Sequence, residues 1–251
     1  NDLSKMGINV DDEYVLVLNR GQKYLNECIP DMDFSYHEHR NVSIKDFIPI
    51  AEKLTSLGYY IIRVGHKVSD YMETDNPKII DYDNCGFRTE LLDIYLAATC
   101  RYIIGTDSGY MAVPGFIFRR PMVFVDFSNF DYMPPFLSSW LIIFKKYWIV
   151  NNKRFMTVSE ILESGLGRCQ NSHVFKNSGI KVVNNTAEEI VEVVSEMEEK
   201  LNGTWQGTNE DEDLQKKFWS YFQSSDLHNS DGKIRGRIGA NFLKQNRELI
   251  A

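Results

Sequence analysis

The sequence lacks the features that mark a membrane-spanning, nucleic-acid-binding or disulfide-stapled protein. Its apolar runs are broken by charged residues or glycine well before the roughly 20 residues that a membrane-spanning helix needs. Its 28 Lys and Arg against 35 Asp and Glu give a net charge of −7, which disfavours general binding to nucleic acid. The four cysteines contain no CxxC pair, so neither a zinc knuckle nor a redox pair is predicted. We therefore expect reduced thiols, no transmembrane segment and no nucleic-acid partner.

The motifs of several common enzyme classes are also missing. A dinucleotide-binding fingerprint needs GxGxxG after a strand, and the nearest match, at Gly165 and Gly167, lacks the third glycine. No GxxxxGK[ST] loop is present, which argues against a P-loop phosphotransferase. Ser108 is not flanked as in the GxSxG nucleophile elbow, so a serine hydrolase is not predicted.

What the sequence contains instead is a repeated alternation of apolar runs and amphipathic segments. Apolar runs predict strands at residues 13–19, 59–64, 78–81, 102–104, 122–125 and 180–183. Helical spacing predicts helices at residues 44–57, 91–98, 187–201 and 214–222. Three pairs have the spacing of capping boxes: Ser43 with Asp46, Thr157 with Glu160, and Thr186 with Glu189. Strand, helix and strand in succession predict an α/β domain with a mainly parallel sheet.

Two segments do not follow this alternation. Residues 22–41 lack clear periodicity and are predicted to form a long loop, a kind of segment that is often functional. Residues 127–148 are rich in aromatic residues and contain proline, and they predict neither helix nor strand. Lys145 and Lys146 in this second segment are expected on the solvated surface.

The turn Gly-Thr-Asp-Ser-Gly at residues 105–109 is the first candidate for a ligand site. It follows the predicted strand at 102–104, and ligands of open parallel sheets bind just beyond the carboxyl ends of strands. Backbone N–H groups and hydroxyls presented there suit an anion. In the alternative interpretation the glycines only permit a tight loop, and Asp107 and Ser108 cap the next helix.

Three arginines are predicted to gather near this turn. Arg20 and Arg63 follow or end predicted strands, and Arg40 lies in the adjoining loop. Bidentate guanidinium groups together with backbone N–H groups are the chemistry that a diphosphate needs. The alternative is that these arginines are surface or salt-bridged residues.

Metal-binding patterns are weaker. His37 and His39 could be ligands on an extended segment, but the sequence shows no convincing third ligand. Asp81 with Asp83 matches the DxD pattern with which GT-A glycosyltransferases hold a divalent ion, and so does Asp31 with Asp33. Two carboxylates separated by one residue are common in a chain with 35 acidic residues.

Five segments taken in order resemble a family of bacterial glycosyltransferases. They are HEHRN at 37–41, GYYIIRVG at 58–65, IIDY at 79–82, LLDIYLAATCRYIIGTDSG at 91–109 and FMTVSEIL at 155–162. The similarity runs from about residue 15 to residue 197. The chain resembles the donor-binding half of GT-B enzymes and is distantly similar to fucosyltransferases and heptosyltransferases in its IGTDSG turn.

The resemblance implies a fold and a binding site. The fold would be a Rossmann-like, mainly parallel sheet with helices on both faces, of the GT-B donor-domain type, plus a helical C-terminal tail. Residues 1–203 would bind a nucleotide-sugar, and residues 204–251 would be a polar connector and tail. No metal or other cofactor is expected. The residues implied to contact the donor are Arg20, His37, Arg40, Asn41, Arg63, Gly65, Thr106, Asp107, Ser108 and Gly109, of which Arg20 and His37 are the candidates for catalysis.

The implied function is transfer of a sugar from a nucleotide diphosphate to a bacterial surface glycan. The acceptor would be a glycan or a lipid-linked sugar, and the protein would be cytoplasmic, with association at the inner membrane left open. GT-B enzymes have two Rossmann-like domains, so the acceptor half is expected from an N-terminal domain or a partner chain, and the start at Asn1 rather than Met agrees with this. Two alternatives stay open: a metal-dependent GT-A-like transferase that uses Asp81 and Asp83, and a non-catalytic module that binds sugar-nucleotides or glycans.

Overall fold

The computed structural model describes residues 2–68, 70–130, 139–222 and 234–251. The strands are β1 (Tyr14–Leu18), β2 (Tyr60–Arg63), β3 (Ile79–Asp81), β4 (Ile103–Gly105), β5 (Met122–Phe127), β6 (Trp140–Phe144), β7 (Lys146–Ile149), β8 (Arg154–Phe155), β9 (Ile180–Val183) and β10 (Arg237–Ile238). The α-helices are α1 (Asp2–Lys5), α2 (Lys23–Cys28), α3 (Ile48–Ser56), α4 (Glu90–Thr99), α5 (Val158–Glu163), α6 (Ser172–Asn177), α7 (Ala187–Leu201), α8 (Asn209–Ser220) and α9 (Ala240–Gln245).

Shorter helical turns connect these elements. They are 3₁₀ helices at Ser35–Arg40, Ile44–Phe47, Tyr82–Asn84, Gly109–Met111, Leu166–Arg168 and Arg247–Ile250, and a π-helical turn at Val113–Ile117. Within the described ranges, no helix combines the length and the apolar character that crossing a membrane requires.

Seven strands form a parallel central sheet in the order β10, β6, β5, β4, β1, β2, β3, and a smaller antiparallel sheet has the order β8, β7, β9. From β1 the chain builds the sheet outward through β2 and β3, then returns to the other side of β1 with β4 and continues through β5 and β6. This reversal is the strand order of doubly wound folds. The predicted α/β fold, Rossmann-like with helices around a parallel sheet, is therefore confirmed.

The central strands are buried along their whole length, as their sequences predict. All residues of β1, β4, β5 and β6 are buried, and continuous apolar runs of this kind are typical of parallel strands covered on both faces. In the register of the sheet, Leu16 of β1 lies opposite Ile62 of β2 on one side and Ile103 of β4 on the other.

The chain divides into two compact units. The first comprises Asn1–Phe34 and Asn41–Val123, and the second comprises Ser35–Arg40 and Phe124–Ala251. Helices α8 and α9, which follow residue 203, belong to the second unit. The domain boundary expected near residue 203 stays a prediction.

The aromatic segment that predicted neither helix nor strand supplies β6, β7 and part of the second unit's core. Phe144 of β6 packs against Phe130, Phe218 and Phe242 with ring centroids 4.9 to 5.6 Å apart. Such side chains bury large apolar areas and favour tilted or edge-to-face contacts. Residues 131–138 of this segment, including the prolines expected to disturb regular structure, lie outside the described residues.

Two expectations for local structure are wrong. Residues 22–41 are not one long loop, because they contain α2 and the 3₁₀ helix Ser35–Arg40. Lys145 and Lys146 are buried instead of solvated: the Lys146 ammonium forms an ion pair with Glu189 at 2.7 Å, and the Lys145 ammonium donates to Asn184 Oδ1 at 2.7 Å. Burial of these cations is tolerated because each charge has a polar partner.

The capping boxes fix where helices begin. Thr157 with Glu160 at α5 and Thr186 with Glu189 at α7 form the predicted reciprocal hydrogen bonds, and α7 has the predicted bounds. A third box, Thr208 with Asp211, begins α8. At Ser43 the outcome differs, because its hydroxyl accepts from the Lys45 N–H and begins a 3₁₀ turn that precedes α3.

Acid should weaken the α5 cap through Glu160. The Arg154 guanidinium first, then the Thr157 N–H, lower the pKa of Glu160 from 4.5 to about 2. Because the folded-state pKa lies below the unfolded one, this carboxylate stabilises the fold fully above about pH 4.5 and loses that contribution as the pH falls toward 2. Urea denaturation of Glu160→Gln and wild type should show a stability difference that shrinks over this range.

Glu163→Gln is the matched control for this prediction. Glu163 lies on the same helix and accepts from the neutral Ser159 hydroxyl at 2.6 Å. A stability difference between wild type and Glu160→Gln that stays constant from pH 7 to pH 3 would contradict the assignment.

Candidate functional site

A polar cleft of about 700 Å³ opens at the carboxyl end of β1, within the first unit. Its lining begins with Arg20 and Gly21, directly after the strand. The strand order reverses between β1 and β4, and in doubly wound sheets the crevice outside the carboxyl ends at such a reversal is the usual ligand site. The volume is within the range of small-molecule sites, roughly 300 to 1,000 Å³.

The cleft lining combines cations, amides and carboxylates. The cations are Arg20 and Lys23. The remaining polar side chains are Gln22, Asn26 and Asn41, the hydroxyl of Ser43, and the carboxylates of Glu27 and Asp70. Cations and amide N–H groups suit phosphate oxygens, whereas carboxylates accept hydrogen bonds from sugar hydroxyls. The lining can therefore contact a ligand that carries both groups.

Two hydrogen bonds, one from Asn19 and one to Arg20, hold the two chain segments of the cleft together. The Asn19 side-chain amide donates to the Val42 carbonyl at 2.9 Å, and the Val42 N–H donates to the Arg20 carbonyl at 3.1 Å. These bonds place Asn41 and Ser43 beside the strand end that carries Arg20. Two of the predicted donor-binding residues, Arg20 and Asn41, thus share the cleft.

The Arg63 guanidinium is engaged within the sheet. Its side chain is 2% exposed, and it donates to Asp81 Oδ1 at 3.0 Å and to Asn19 Oδ1 at 2.9 Å. The other Asp81 oxygen accepts from the Met72 N–H at 2.9 Å. Arg63 therefore ties the carboxyl ends of β1, β2 and β3 together, which is the salt-bridged alternative for this residue, and contact with a ligand stays a prediction.

The turn at residues 106–109 carries two hydroxyls, those of Thr106 and Ser108, for which the described residues provide no hydrogen-bond partner. The Thr106 N–H donates to the Leu18 carbonyl at 3.1 Å, which holds the turn against the end of β1. Thr106 is 1% exposed, and its hydroxyl has no hydrogen-bond partner among the described residues. Ser108 is half-buried and precedes the 3₁₀ helix Gly109–Met111 without a side-chain cap, so it does not have the expected capping role. Gly109 is exposed, and a Cβ there would meet no atom within 4 Å.

The loop after β2 bends at Gly65 and then carries His66, which contacts Asp83. Gly65 has a φ of +147°, and a Cβ there would lie 3.0 Å from Val68 Cγ1, so its observed role is to permit the turn. Beyond it, His66 Nδ1 lies 3.2 Å from Asp83 Oδ1, and the Val68 N–H donates to Asp83 Oδ2 at 3.0 Å. Burial opposes ionisation of Asp83, but the Val68 N–H, His66 and the Lys67 N–H together lower its pKa.

The structure places His37 and Arg40 in the second unit, on the 3₁₀ helix Ser35–Arg40. This helix is fastened to α6. The Ser172 hydroxyl donates to the Tyr36 carbonyl at 3.0 Å, accepts from the His39 N–H at 3.0 Å and lies 2.9 Å from His39 Nδ1. His39 also packs against Phe175, with ring centroids 4.9 Å apart. Contact of His37 or Arg40 with a ligand stays a prediction.

Of the four carboxylates considered as metal ligands, two pair with cationic or imidazole side chains and two are exposed. Asp81 pairs with Arg63 and Asp83 with His66, while Asp31 and Asp33 are exposed. Across residues 2–68, 70–130, 139–222 and 234–251, no group of three or more His, Cys, Asp or Glu side chains is arranged to hold a metal ion.

Sequence reasoning missed several cleft residues. Lys23, Asn26 and Glu27 lie on α2, within the stretch that was predicted to be a loop, and Asp70 lies on the loop after β2. The usable signal for the α2 residues is their position, because α2 begins five residues after Leu18, the last residue of β1. Side chains that follow a parallel strand lie at the edge of the sheet where ligands usually bind.

Comparisons of the chain with protein-family models, with curated proteins and with solved structures find no match. The resemblance to bacterial glycosyltransferases therefore stays a prediction.

The Arg63 network should make a large contribution to stability. Arg63→Ala leaves Asp81 and Asn19 without their guanidinium partner, so we expect the free energy of unfolding to fall by about 3 kcal/mol or more. Arg88→Ala is the control, since Arg88 forms a half-buried pair with Asp93 at 2.6 Å and should cost less than about 1 kcal/mol. Urea denaturation measures both. A small and equal effect of the two changes would contradict the structural role of Arg63.

Proposed function

We propose that this chain binds the donor of a glycosyltransferase reaction, a nucleotide-diphosphate sugar, in the cleft at the carboxyl end of β1, and that it takes part in sugar transfer to a bacterial surface glycan. The observation that carries the proposal is the cleft itself, which combines Arg20 and Lys23 with amides and carboxylates at the carboxyl end of β1. The resemblance in the HEHRN and IGTDSG segments supports the same chemistry.

The chemical match to the ligand has two parts. A diphosphate presents negatively charged oxygens, which the Arg20 guanidinium can bind through two parallel N–H groups and Lys23 can bind as a point charge. A sugar or ribose presents hydroxyl donors, which the Glu27 and Asp70 carboxylates can accept. A plain phosphate site would need no carboxylates, and these acids would weaken its affinity for an anion.

In the reaction, cations at the diphosphate would supply the main electrostatic stabilisation. Negative charge grows on the diphosphate as its bond to the sugar breaks, and a positioned guanidinium stabilises that charge more in the transition state than in the ground state. Arg20 is the residue proposed for this role. The acceptor, a glycan or lipid-linked sugar, would approach the sugar from the side away from the diphosphate.

Two alternatives predict different ligand behaviour. A metal-dependent transferase would require Asp81 and Asp83 to bind a divalent ion, yet Asp81 is paired with Arg63 and Asp83 accepts from the Val68 N–H. A non-catalytic module would bind the same ligands in the same cleft but release no nucleoside diphosphate from a nucleotide-sugar.

A thermal-shift panel tests donor binding and separates the proposal from the metal-dependent alternative. UDP, GDP, dTDP, CDP and ADP, and the hexose derivatives of the first three, are added to the chain in EDTA and then in Mn²⁺. A nucleotide that binds the folded state raises the melting temperature by mass action. A shift in EDTA supports the proposal, a shift that needs Mn²⁺ favours the metal-dependent alternative, and no shift with any nucleotide removes the proposal.

Loss of the cleft cations should weaken binding in a graded way. Arg20→Met should cost roughly 1.5 to 3 kcal/mol of nucleoside-diphosphate affinity, the range for a hydrogen bond to a charged group. Lys23→Met should cost less, because an ammonium group binds a phosphate as a point charge whereas a guanidinium binds it through two parallel N–H groups. Lys216→Met, on the exposed surface of α8, is the control, and calorimetry measures all three. Affinity unchanged in Arg20→Met would place the ligand elsewhere.

The Thr106 and Ser108 hydroxyls should contribute to the affinity for the ligand and not to the stability of the fold. Thr106→Val removes no hydrogen bond to a described residue, so stability should be unchanged or higher, while diphosphate affinity should fall by about 0.5 to 1.5 kcal/mol. Ser108→Ala should behave in the same way. Melting curves and calorimetry are compared for each variant. Lower stability with unchanged affinity would show that these hydroxyls are structural groups.

A further inference from the structure

The His66 imidazole and the Asp83 carboxylate form a pair at the same edge of the sheet as the cleft. His66 follows β2, Asp83 follows β3, and Nδ1 of the imidazole lies 3.2 Å from Oδ1 of the carboxylate. The His66 side chain is 42% exposed, whereas the Asp83 side chain is 15% exposed. The pair therefore presents an imidazole to solvent and keeps its carboxylate partner behind it.

The contacts of Asp83 decide which imidazole nitrogen carries the proton. Asp83 accepts from the backbone N–H groups of Val68 and Lys67, and after the opposing effect of burial its pKa is lowered, so the carboxylate is ionised at neutral pH. An ionised carboxylate can only accept, so Nδ1 of His66 must be the donor. In the neutral ring Nε2 then carries a lone pair, and this nitrogen has no hydrogen-bond partner among the described residues.

Contacts link this pair to the cleft. Lys23 lines the cleft and donates to the carbonyl of Val68, the same residue whose N–H donates to Asp83. Tyr24, the next residue of α2, has its ring centroid 6.0 Å from that of His66. Asp70, which lines the cleft, lies on the loop that carries His66.

We propose that His66 is the catalytic base of the reaction and that Asp83 is its positioning residue. This inference rests on the proposed function, because it needs a nucleotide-sugar bound in the adjoining cleft. Neither residue was among the sequence-based candidates for catalysis, which were Arg20 and His37. Asp83 was considered only as a metal ligand.

The chemical step is a single displacement with inversion at the anomeric carbon. The O–H bond of the acceptor hydroxyl breaks as its proton moves to His66 Nε2, and the oxygen forms a bond to the anomeric carbon. The bond from that carbon to the diphosphate oxygen breaks at the same time, and its electron pair leaves with the nucleoside diphosphate. Water can replace the acceptor hydroxyl, which converts transfer into hydrolysis of the donor. The proton on His66 is then released to solvent.

The groups that face His66 are few among the described residues. Asp83 faces it from the 3₁₀ helix Tyr82–Asn84, and Tyr24 faces it from α2. On its own loop the neighbouring cation is Lys67, which forms an ion pair with Glu27 of α2 at 3.4 Å. Asp83, whose pKa is lowered, therefore stays ionised beside the imidazole throughout the neutral range.

The test measures donor binding and donor cleavage separately. UDP-glucose, GDP-mannose and dTDP-glucose are each incubated with wild type, His66→Gln and the control His173→Gln, whose histidine is exposed on α6. Release of nucleoside diphosphate is followed from pH 5 to pH 8, and affinity for the nucleoside diphosphate is measured by calorimetry. His66→Gln should lower the release rate by about 100-fold or more across this pH range. Its affinity should stay within about twofold of wild type, as expected for a group that acts in the transition state.

Variants of Asp83 test whether this residue positions His66 or has only a structural role. Asp83→Asn can keep the Val68 N–H bond with its amide oxygen but offers an N–H to His66, which moves the imidazole proton to Nε2. Nitrogen-15 spectra of the His66 ring should show this tautomer change, and the release rate should fall toward that of His66→Gln. Asp83→Glu should restore the wild-type tautomer and part of the rate.

The outcomes distinguish the two proposals. If the chain binds none of the nucleotides, the proposed function fails and this inference fails with it. If it binds them but wild type releases no nucleoside diphosphate, the non-catalytic alternative is favoured and the His66 assignment falls with sugar transfer. If wild type releases it and His66→Gln does so equally fast, only the His66 assignment is overturned. A wild-type ring protonated on Nε2 would also overturn it.

Discussion

A buried guanidinium, that of Arg63, holds the functional edge of the sheet together. It bonds to Asp81 at the end of β3 and to Asn19 just past the end of β1. The charge of Arg63 can stay buried because its partners, Asp81 and Asn19, are themselves held by further hydrogen bonds. Removal of either partner would leave an uncompensated buried group. Asn19 in turn holds the Val42 carbonyl, so the positions of Arg20 and Asn41 in the cleft depend on this network. The cleft therefore rests on polar contacts that solvent scarcely reaches.

Residues of the same type have different roles because of where they stand relative to a strand end. Arg63 is the last residue of β2 and is committed to contacts within the sheet, whereas Arg20 lies two residues past β1 and lines the cleft. Asp81 ends β3 and neutralises Arg63, whereas Asp83 lies two residues further on and orients His66. A displacement of two residues moves a side chain from the interior of the sheet to its edge, where a ligand can reach it.

The reversal of strand order between β1 and β4 explains why these edge residues converge. In doubly wound sheets, the connections that leave the two strands at such a reversal pass to opposite sides of the sheet and leave a crevice beyond the strand ends. The Thr106 turn and the Arg20 segment border this space from β4 and β1, and the Thr106 N–H bond to Leu18 holds them together. The mixture of cations and carboxylates in the cleft favours a ligand that is anionic in one part and hydroxylated in another, which is the basis of the proposed donor site.

The sequence alone determined the elements whose signals are local. The apolar run of β1, the strand β9 and helix α7 with its Thr186 cap follow from residue spacing within a few turns of chain, and the α/β alternation follows from their order. Only the tertiary structure decided which residues meet. The pairing of Arg63 with Asp81, the burial of Lys146 against Glu189, the two-residue strand β10 and the contact of His66 with Asp83 all join residues at least 17 positions apart or depend on a partner strand. Such contacts leave no local pattern, because the free energy that selects them comes from burial and pairing in the folded chain.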